Sequence, residues 1–232
     1  MLSDTLLDLL RRVDTPTVCN GIEVAQGRRG FDAFTRGTVL VNDVALGPMV
    51  GYAVTARIAA RAPSEDAPEV VRTRRMDYYR AMAEGPKPSV AVVQDMDVPH
   101  AIGAYWGEVN TTIHKGFNMA GALTDGVMRD LGDMAPGFPV VAGSVGPSHG
   151  FVHVREVNVP VTVFGLRVAP GDLVYADRHG AVVIPPEVLD RLEAAILGMQ
   201  ETEALILGPA RSDGFDFAAF ETAWAAFEKA RT

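Results

Sequence analysis

Arg129 and Asp130 are the residues of this chain best suited to chemistry. They close the segment Gly121-Ala-Leu-Thr-Asp-Gly-Val-Met-Arg-Asp130, directly after an apolar run. A guanidinium fork matches a carboxylate with two parallel hydrogen bonds, and no other side chain does so as well. Asp130 offers a hard oxygen ligand, and magnesium often takes only one or two protein carboxylates while keeping several waters. Side by side at the end of a buried strand, the two can hold an anionic substrate and a hard metal ion at once. That suits cleavage of a carbon–carbon bond next to a 2-oxo acid. Asp133, three residues on, can hold a metal-bound water from outside the ligand shell. Plainer readings exist: Arg129 as a surface arginine in a first helical turn, Asp130 and Asp133 as acids that favour a helix macrodipole.

Gly107-Glu108-Val109-Asn110 begins a helix, whose free N–H groups form a seat for a carboxylate or enolate oxygen. Glu108 reads as an acid/base group, as the holder of a metal-bound water, or as an ordinary first-turn glutamate. Asp95 and Asp97 follow a strand, where open α/β sheets often place ligands, but a turn or cap role suits them better. His114, His149 and His153 are not spaced as a metal cluster. His149, between glycines, reads equally as a pocket residue and as a loop histidine. Cys19 reads as a structural thiol. No P-loop and no dinucleotide-binding fingerprint occurs.

Several elements must position these groups. Ser3 caps a helix with Leu6, Leu7, Leu10 and Val13 on one stripe. Thr15-Pro16 reads as N-cap and first-turn proline of a second helix ending near Gly27. Met49 to Ile58 reads as a strand, and Glu69 to Glu84 as a charged helix with Val70, Val71, Met76, Tyr79 and Met82 inward. Ser89 to Val93 is a strand, Gly107 to Lys115 a helix stopped by Gly116, and Met119 to Leu123 a buried strand that turns at Asp125-Gly126. The second half is short strands at 139–142, 152–159, 161–164, 173–176 and 181–184. Pro185-Pro186 opens a helix to about Leu207, and a last helix from Phe215 to Lys229 is expected to bury Phe217, Phe220, Trp224 and Phe227. With no repeat, low-complexity tract or polar linker, the expectation is one α/β domain with helices packed on mixed sheets.

The 232 residues allow one large domain or two small ones. The formal charge of −8 argues against nucleic acid as a partner, which needs a clustered basic surface. It does not exclude small anions, because a pocket's local field can oppose the net charge. One cysteine excludes an internal disulfide framework and fits a reducing cytoplasm. The first residues carry acids where a signal peptide would be basic, and no apolar run approaches the roughly 20 residues of a membrane helix.

Taken in order, Asp14-Thr-Pro-Thr-Val-Cys-Asn20, Gly51-Tyr-Ala-Val-Thr-Ala-Arg57, Gly107-Glu108, the 121–130 segment, Asn158-Val-Pro-Val161, Pro170-Gly-Asp-Leu-Val-Tyr-Ala-Asp177 and Gly180-Ala-Val-Val-Ile-Pro185 resemble the family of 4-hydroxy-4-methyl-2-oxoglutarate aldolase and the regulator of ribonuclease E activity A. The resemblance spans roughly residues 14 to 205, leaving a helical extension at about 212–232. It implies a swivelling β/β/α domain, a homotrimer or hexamer with sites between subunits, and a divalent metal, Mg²⁺ first and Mn²⁺ as the alternative. It implies retro-aldol cleavage of a 4-hydroxy-2-oxo acid to pyruvate, oxaloacetate decarboxylation, or both. By motif, Arg129 would bind the substrate carboxylate and 2-oxo group, and Asp130 would ligate the metal. Glu108 and Asp133 would act on the metal through water, and amides near Gly107, Val109 and Asn110 would receive the pyruvyl carboxylate. A glutamate from a neighbouring subunit's C-terminal helix would complete the site: Glu203, with Glu201 close behind. Val109 and Asn110 stand where leucines are usual, and the arginine-rich segment 61–85 looks longer than usual. The family also holds the rival reading, a non-catalytic regulator that binds a ribonuclease or an RNA helicase.

Overall fold

The computed structural model describes residues 2–230, so the last two positions of the expected C-terminal extension lie outside the described residues. Helix α1 (Asp4–Leu10) starts at Ser3, whose hydroxyl accepts the Leu6 N–H. Helix α2 (Thr15–Gln26) is capped by Asp14, one residue earlier than expected. The Asp14 carboxylate takes the Thr17 N–H, which leaves the Thr15 hydroxyl to donate to Asp177 at 2.7 Å. Gly27, at φ 68°, ends the helix in the left-handed conformation that glycine adopts without strain.

After a short strand β1 (Leu40–Val41) comes β2 (Met49–Ala59), an eleven-residue run buried on both faces. Such a run belongs in the middle of a sheet. Helix α3 (Pro68–Glu84) leads to β3 (Ser89–Asp95) and β4 (Ala104–Trp106). Helix α4 (Glu108–Gly116) leads to β5 (Gly121–Thr124) and β6 (Val127–Met128). Seven further strands follow: β7 (Val140–Ala142), β8 (Ser144–Val145), β9 (His153–Val157), β10 (Val161–Val163), β11 (Leu166–Val168), β12 (Leu173–Asp177) and β13 (Gly180–Ile184). Helices α5 (Leu189–Ala210) and α6 (Phe217–Ala230) close the chain.

The large sheet runs β1-β7-β5-β3-β2-β12-β13, with β9 also on β2. Its β2, β3, β5 and β7 are parallel neighbours, and β1, β9, β12 and β13 pair antiparallel. A second, three-stranded parallel sheet, β4-β6-β8, stands beside it, and β10-β11 form a hairpin. This is the swivelling β/β/α arrangement, with helices on mixed sheets. On one face, α1, α2 and α5 pack Leu10, Ile22 and Ile196 against Val182 and Ile184. Elsewhere α3 packs Tyr78 and Met82 against Ile58, Val93 and Trp106.

Two expectations about inward faces fail. On α3, Val70 and Met76 are exposed, and the fully buried residues are Met82, as expected, and Tyr78, which was not expected to face inward. The helix is turned by the phenol, whose hydroxyl reaches the buried His114 ring at 2.7 Å. On α6, Phe217 is 71% and Trp224 41% exposed, and Ala223 is the buried contact. The four aromatics instead form a row of tilted ring contacts along the helix, with centroids 5.5–5.9 Å apart. Helix α6 packs chiefly on α5, which leaves Phe217 and Trp224 largely uncovered.

Candidate active site

The site is built where two short strands end. Strands β4 and β6 run parallel with Trp106 opposite Met128, and the Arg129 N–H donates to the Trp106 carbonyl at 2.8 Å. Gly107 therefore emerges beside Arg129 and Asp130. Asp130 sits at φ 56°, and its carbonyl accepts the N–H groups of Asp133 and Met134 in a tight turn. That turn aims its carboxylate back at α4. Asp130 Oδ2 accepts the Glu108 N–H at 3.2 Å and lies 3.4 Å from Arg129 Nε. A Cβ on Gly107 would lie 2.5 Å from Oδ2 and 3.1 Å from Arg129 Cγ, so the glycine is what admits the pair. Thr111 locks the assembly: its hydroxyl donates to the Gly107 carbonyl and accepts the Ala135 N–H.

Arg129 opens on a cleft of about 220 Å³, whose near wall is Gly107, Val109, Asn110 and Arg129. The Asn110 amide does not reach freely into it. Its oxygen accepts the Tyr79 hydroxyl at 2.8 Å, and its nitrogen donates to the Tyr105 carbonyl at 2.5 Å. Behind it, His114 Nδ1–H donates to the Asn110 carbonyl and Nε2 accepts from Tyr78, a tautomer fixed because a carbonyl only accepts. Burial lowers the pKa of this histidine to about 4, so it stays neutral.

Of the expected residues, Gly107, Val109, Asn110 and Arg129 share the cleft wall. The side chains of Glu108, Asp130 and Asp133 lie off that wall, with Glu108 and Asp133 exposed. Among the described residues no three His, Cys, Asp or Glu side chains converge on a metal position. The arrangement fits a hard cation held chiefly by Asp130, about a third exposed, with waters or substrate filling the rest of the shell. Glu203 lines a different cleft, of about 830 Å³, between α2, α5 and α6. Any part it has at Arg129 would be played in another subunit.

The far wall was not foreseen as a unit. It holds Arg75 and Tyr79 from α3, together with His149 and His153. His153 donates Nδ1–H to the Phe151 carbonyl, and its buried Nε2 has no partner among the described residues. Arg75 and Tyr79 share α3, the two histidines lie far from it along the chain, and no spacing in the chain links any of them to Arg129.

The aspartates at the strand ends are ties. Asp97 accepts the Ala60 and Arg61 N–H groups, Asp95 accepts that of Asp97, and Asp125 accepts that of Asp95. Burial pushes Asp95 up to about 6 and Asp125 up to about 7. Cys19 is pushed up to about 11, first by burial and then by Glu23, and stays a thiol at neutral pH.

Residues 15–183 match the RraA-like family model, described as Aldolase/RraA. The match covers most of the chain, and the protein belongs to this family. A Methanocaldococcus jannaschii protein of uncharacterized role is 34% identical over 105 residues, 44% of this chain and 50% of its own. A Halalkalibacterium halodurans protein with the provisional name 4-hydroxy-4-methyl-2-oxoglutarate aldolase is 30% identical over 120 residues, 50% of this chain and 56% of its own. In each case the chain spans about half the length of the relative. Among solved structures, an uncharacterized Pseudomonas syringae protein superposes with a TM-score of 0.71 at 21% identity, covering 99% of this chain and 94% of that one. Streptomyces coelicolor RraAS2, described as an unusual member of the RNase ES inhibitor RraA family, gives 0.66 at 22%, covering 87% and 94%. At such identities the two structures establish the fold alone.

No helix among the described residues is long and apolar enough to cross a membrane.

Proposed function

We propose that the protein is a divalent-metal-dependent carbon–carbon lyase acting on small 2-oxo acids. The observation that carries this is the Arg129–Asp130 pair, seated against the Gly107–Glu108 backbone at a cleft. Arg129 is also held through its backbone N–H, which fixes the root of its side chain. Its outer guanidinium nitrogens make no hydrogen bond within the described residues and are left for a substrate carboxylate and 2-oxo oxygen.

Cleavage sends the electron pair of the C3–C4 bond toward the 2-oxo oxygen, giving a pyruvate enolate. Arg129 meets the negative charge that develops there, which should be the largest catalytic contribution of the chain's own groups. From oxaloacetate the lost fragment is CO₂, and a proton added at C3 gives pyruvate. From a 4-hydroxy-2-oxo acid the hydroxyl proton must leave as the carbonyl product forms, and Glu108 is our assignment for taking it through water. A divalent ion bound at Asp130 would supply additional positive charge at the 2-oxo group. We place the natural assembly as a homo-oligomer in which Glu203 of another copy approaches the cleft.

The test is oxaloacetate and 4-hydroxy-2-oxo acids with purified protein, in Mg²⁺ and in EDTA. Pyruvate formation that EDTA abolishes supports the lyase. No turnover of any 2-oxo acid, with or without added Mn²⁺, would favour the regulator of a ribonuclease or an RNA helicase instead.

A further inference from the structure

The titratable side chains in the walls of the 220 Å³ cleft are Arg75, Tyr79, Tyr105, Arg129, His149 and His153. Proton transfer is most efficient from a group whose pKa lies near the working pH. An arginine keeps its proton throughout that range. Burial raises both phenols above the ordinary tyrosine range, and the Tyr79 proton is already given to Asn110. Imidazole is the side chain that ordinarily gains and loses a proton near neutrality, which singles out the two histidines of the far wall. They differ in access. The Nε2 of His153 is buried away from solvent. His149 is exposed, and its Nδ1–H donates to the Gly150 carbonyl at 2.7 Å, a direction fixed because a carbonyl only accepts. Its Nε2 has no partner among the described residues. The loop that carries it is pinned to the near wall. The Ala104 N–H, at the start of β4, donates to the Ser148 carbonyl at 2.9 Å, and β4 runs on to Gly107.

An enolate left by carbon–carbon cleavage needs a proton at C3, and the near wall has none to give. Arg129 holds its protons, and the Asp130 carboxylate is turned back to the Glu108 N–H. We infer that His149 is a catalytic residue that protonates C3 of the pyruvate enolate from the far wall, while Arg129 holds the 2-oxo end. The C3 electron pair takes the Nε2 proton, and the N–H electron pair stays on the ring. The neutral imidazole then recovers a proton from water at its exposed edge. Glu108 keeps the separate task of removing the hydroxyl proton in the aldol case. The inference rests on the lyase reading and adds the proton donor for its last step. Decarboxylation and retro-aldol cleavage end in the same enolate, so one histidine serves both.

Run in reverse, the same step takes a C3 proton from bound pyruvate, so the methyl group should exchange with D₂O without carbon–carbon cleavage. Wild type and His149→Gln are compared in Mg²⁺ by proton NMR of pyruvate in D₂O, by calorimetric titration with pyruvate, and by CO₂ release from oxaloacetate. Wild type should exchange the methyl protons well above the rate in buffer with Mg²⁺ alone. His149→Gln should exchange them roughly a hundredfold or more slowly, the size of a general acid–base contribution, with pyruvate affinity little changed. Loss of CO₂ precedes protonation, so its rate should fall less than exchange does. Several results would overturn the inference: exchange by His149→Gln near the wild-type rate, equal losses of exchange and CO₂ release, a loss of exchange explained by weaker pyruvate binding, or a wild type that decarboxylates without exchanging. The lyase reading would survive all four. Wild type with neither activity would remove the lyase reading and this inference together.

Discussion

Gly107 and Asp130 face each other so closely that a Cβ on the glycine would lie 2.5 Å from the aspartate's Oδ2. The contact joins the start of α4 to the turn after β6, and it sets where the Asp130 carboxylate points. Gly107→Ala should move that carboxylate and the Arg129 side chain, both free to swing outward. Thermal stability should change little. Turnover should fall roughly a hundredfold, since misplacement by about 1 Å can cost that much. A Gly107→Ala variant as active as wild type would show that the position of Asp130 is not critical.

The Asn110 side chain is a strut between α3 and β4. Asn110→Leu removes the acceptor for the Tyr79 hydroxyl and the donor to the Tyr105 carbonyl. We expect a loss of stability of about 1–3 kcal/mol in urea unfolding. If Asn110→Leu unfolds like wild type, those bonds are replaced by water at no cost.

The acid range should show two opposed effects. Asp95 and Asp125 hold protons up to about 6 and about 7 when folded, against an ordinary value of 3.8. Their contribution is full below 3.8 and is lost as pH rises through about 6 and 7. His114 acts the other way. With its folded pKa near 4 against 6.5, it contributes above 6.5 and is lost as pH falls toward 4. Asp125→Asn, which keeps an acceptor for the Asp95 N–H, should reduce the stability lost between pH 4 and 7, measured by urea midpoints at each pH. An identical pH profile in the variant would contradict the raised carboxyl.

The exposed aromatic row of α6 and the placement of Glu203 away from Arg129 both lead us to expect an assembly. Sedimentation should give a mass that is a multiple of 24.8 kDa. A fully active monomer would remove Glu203 from the site.

The parts of this molecule that were legible in its sequence are those with long or chemically marked signals. The apolar run from Met49 and the Arg129-Asp130 terminus lie where the residue types place them, and the start of α2 is off by a single residue, with Asp14 rather than Thr15 as its cap. The strands that build the site were not legible. Strand β6 has two residues and β4 three, too few for a period to show. Their pairing, which sets Gly107 beside Arg129, is a tertiary fact. The same holds for α3, where apolar periodicity favoured Val70 and Met76 but the hydrogen bond to His114 turned Tyr78 inward. Arg75 was visible as a charge, and nothing in its neighbourhood along the chain tied it to the cleft.

The most direct test of the central claim is oxaloacetate decarboxylation by wild type and by Arg129→Lys, each in Mg²⁺ and in EDTA. A lysine keeps the charge and loses the fork. The account predicts metal-dependent pyruvate formation by wild type and near-complete loss in Arg129→Lys with the fold intact by circular dichroism. Turnover in Arg129→Lys close to that of wild type, or wild-type turnover indifferent to EDTA, would contradict it.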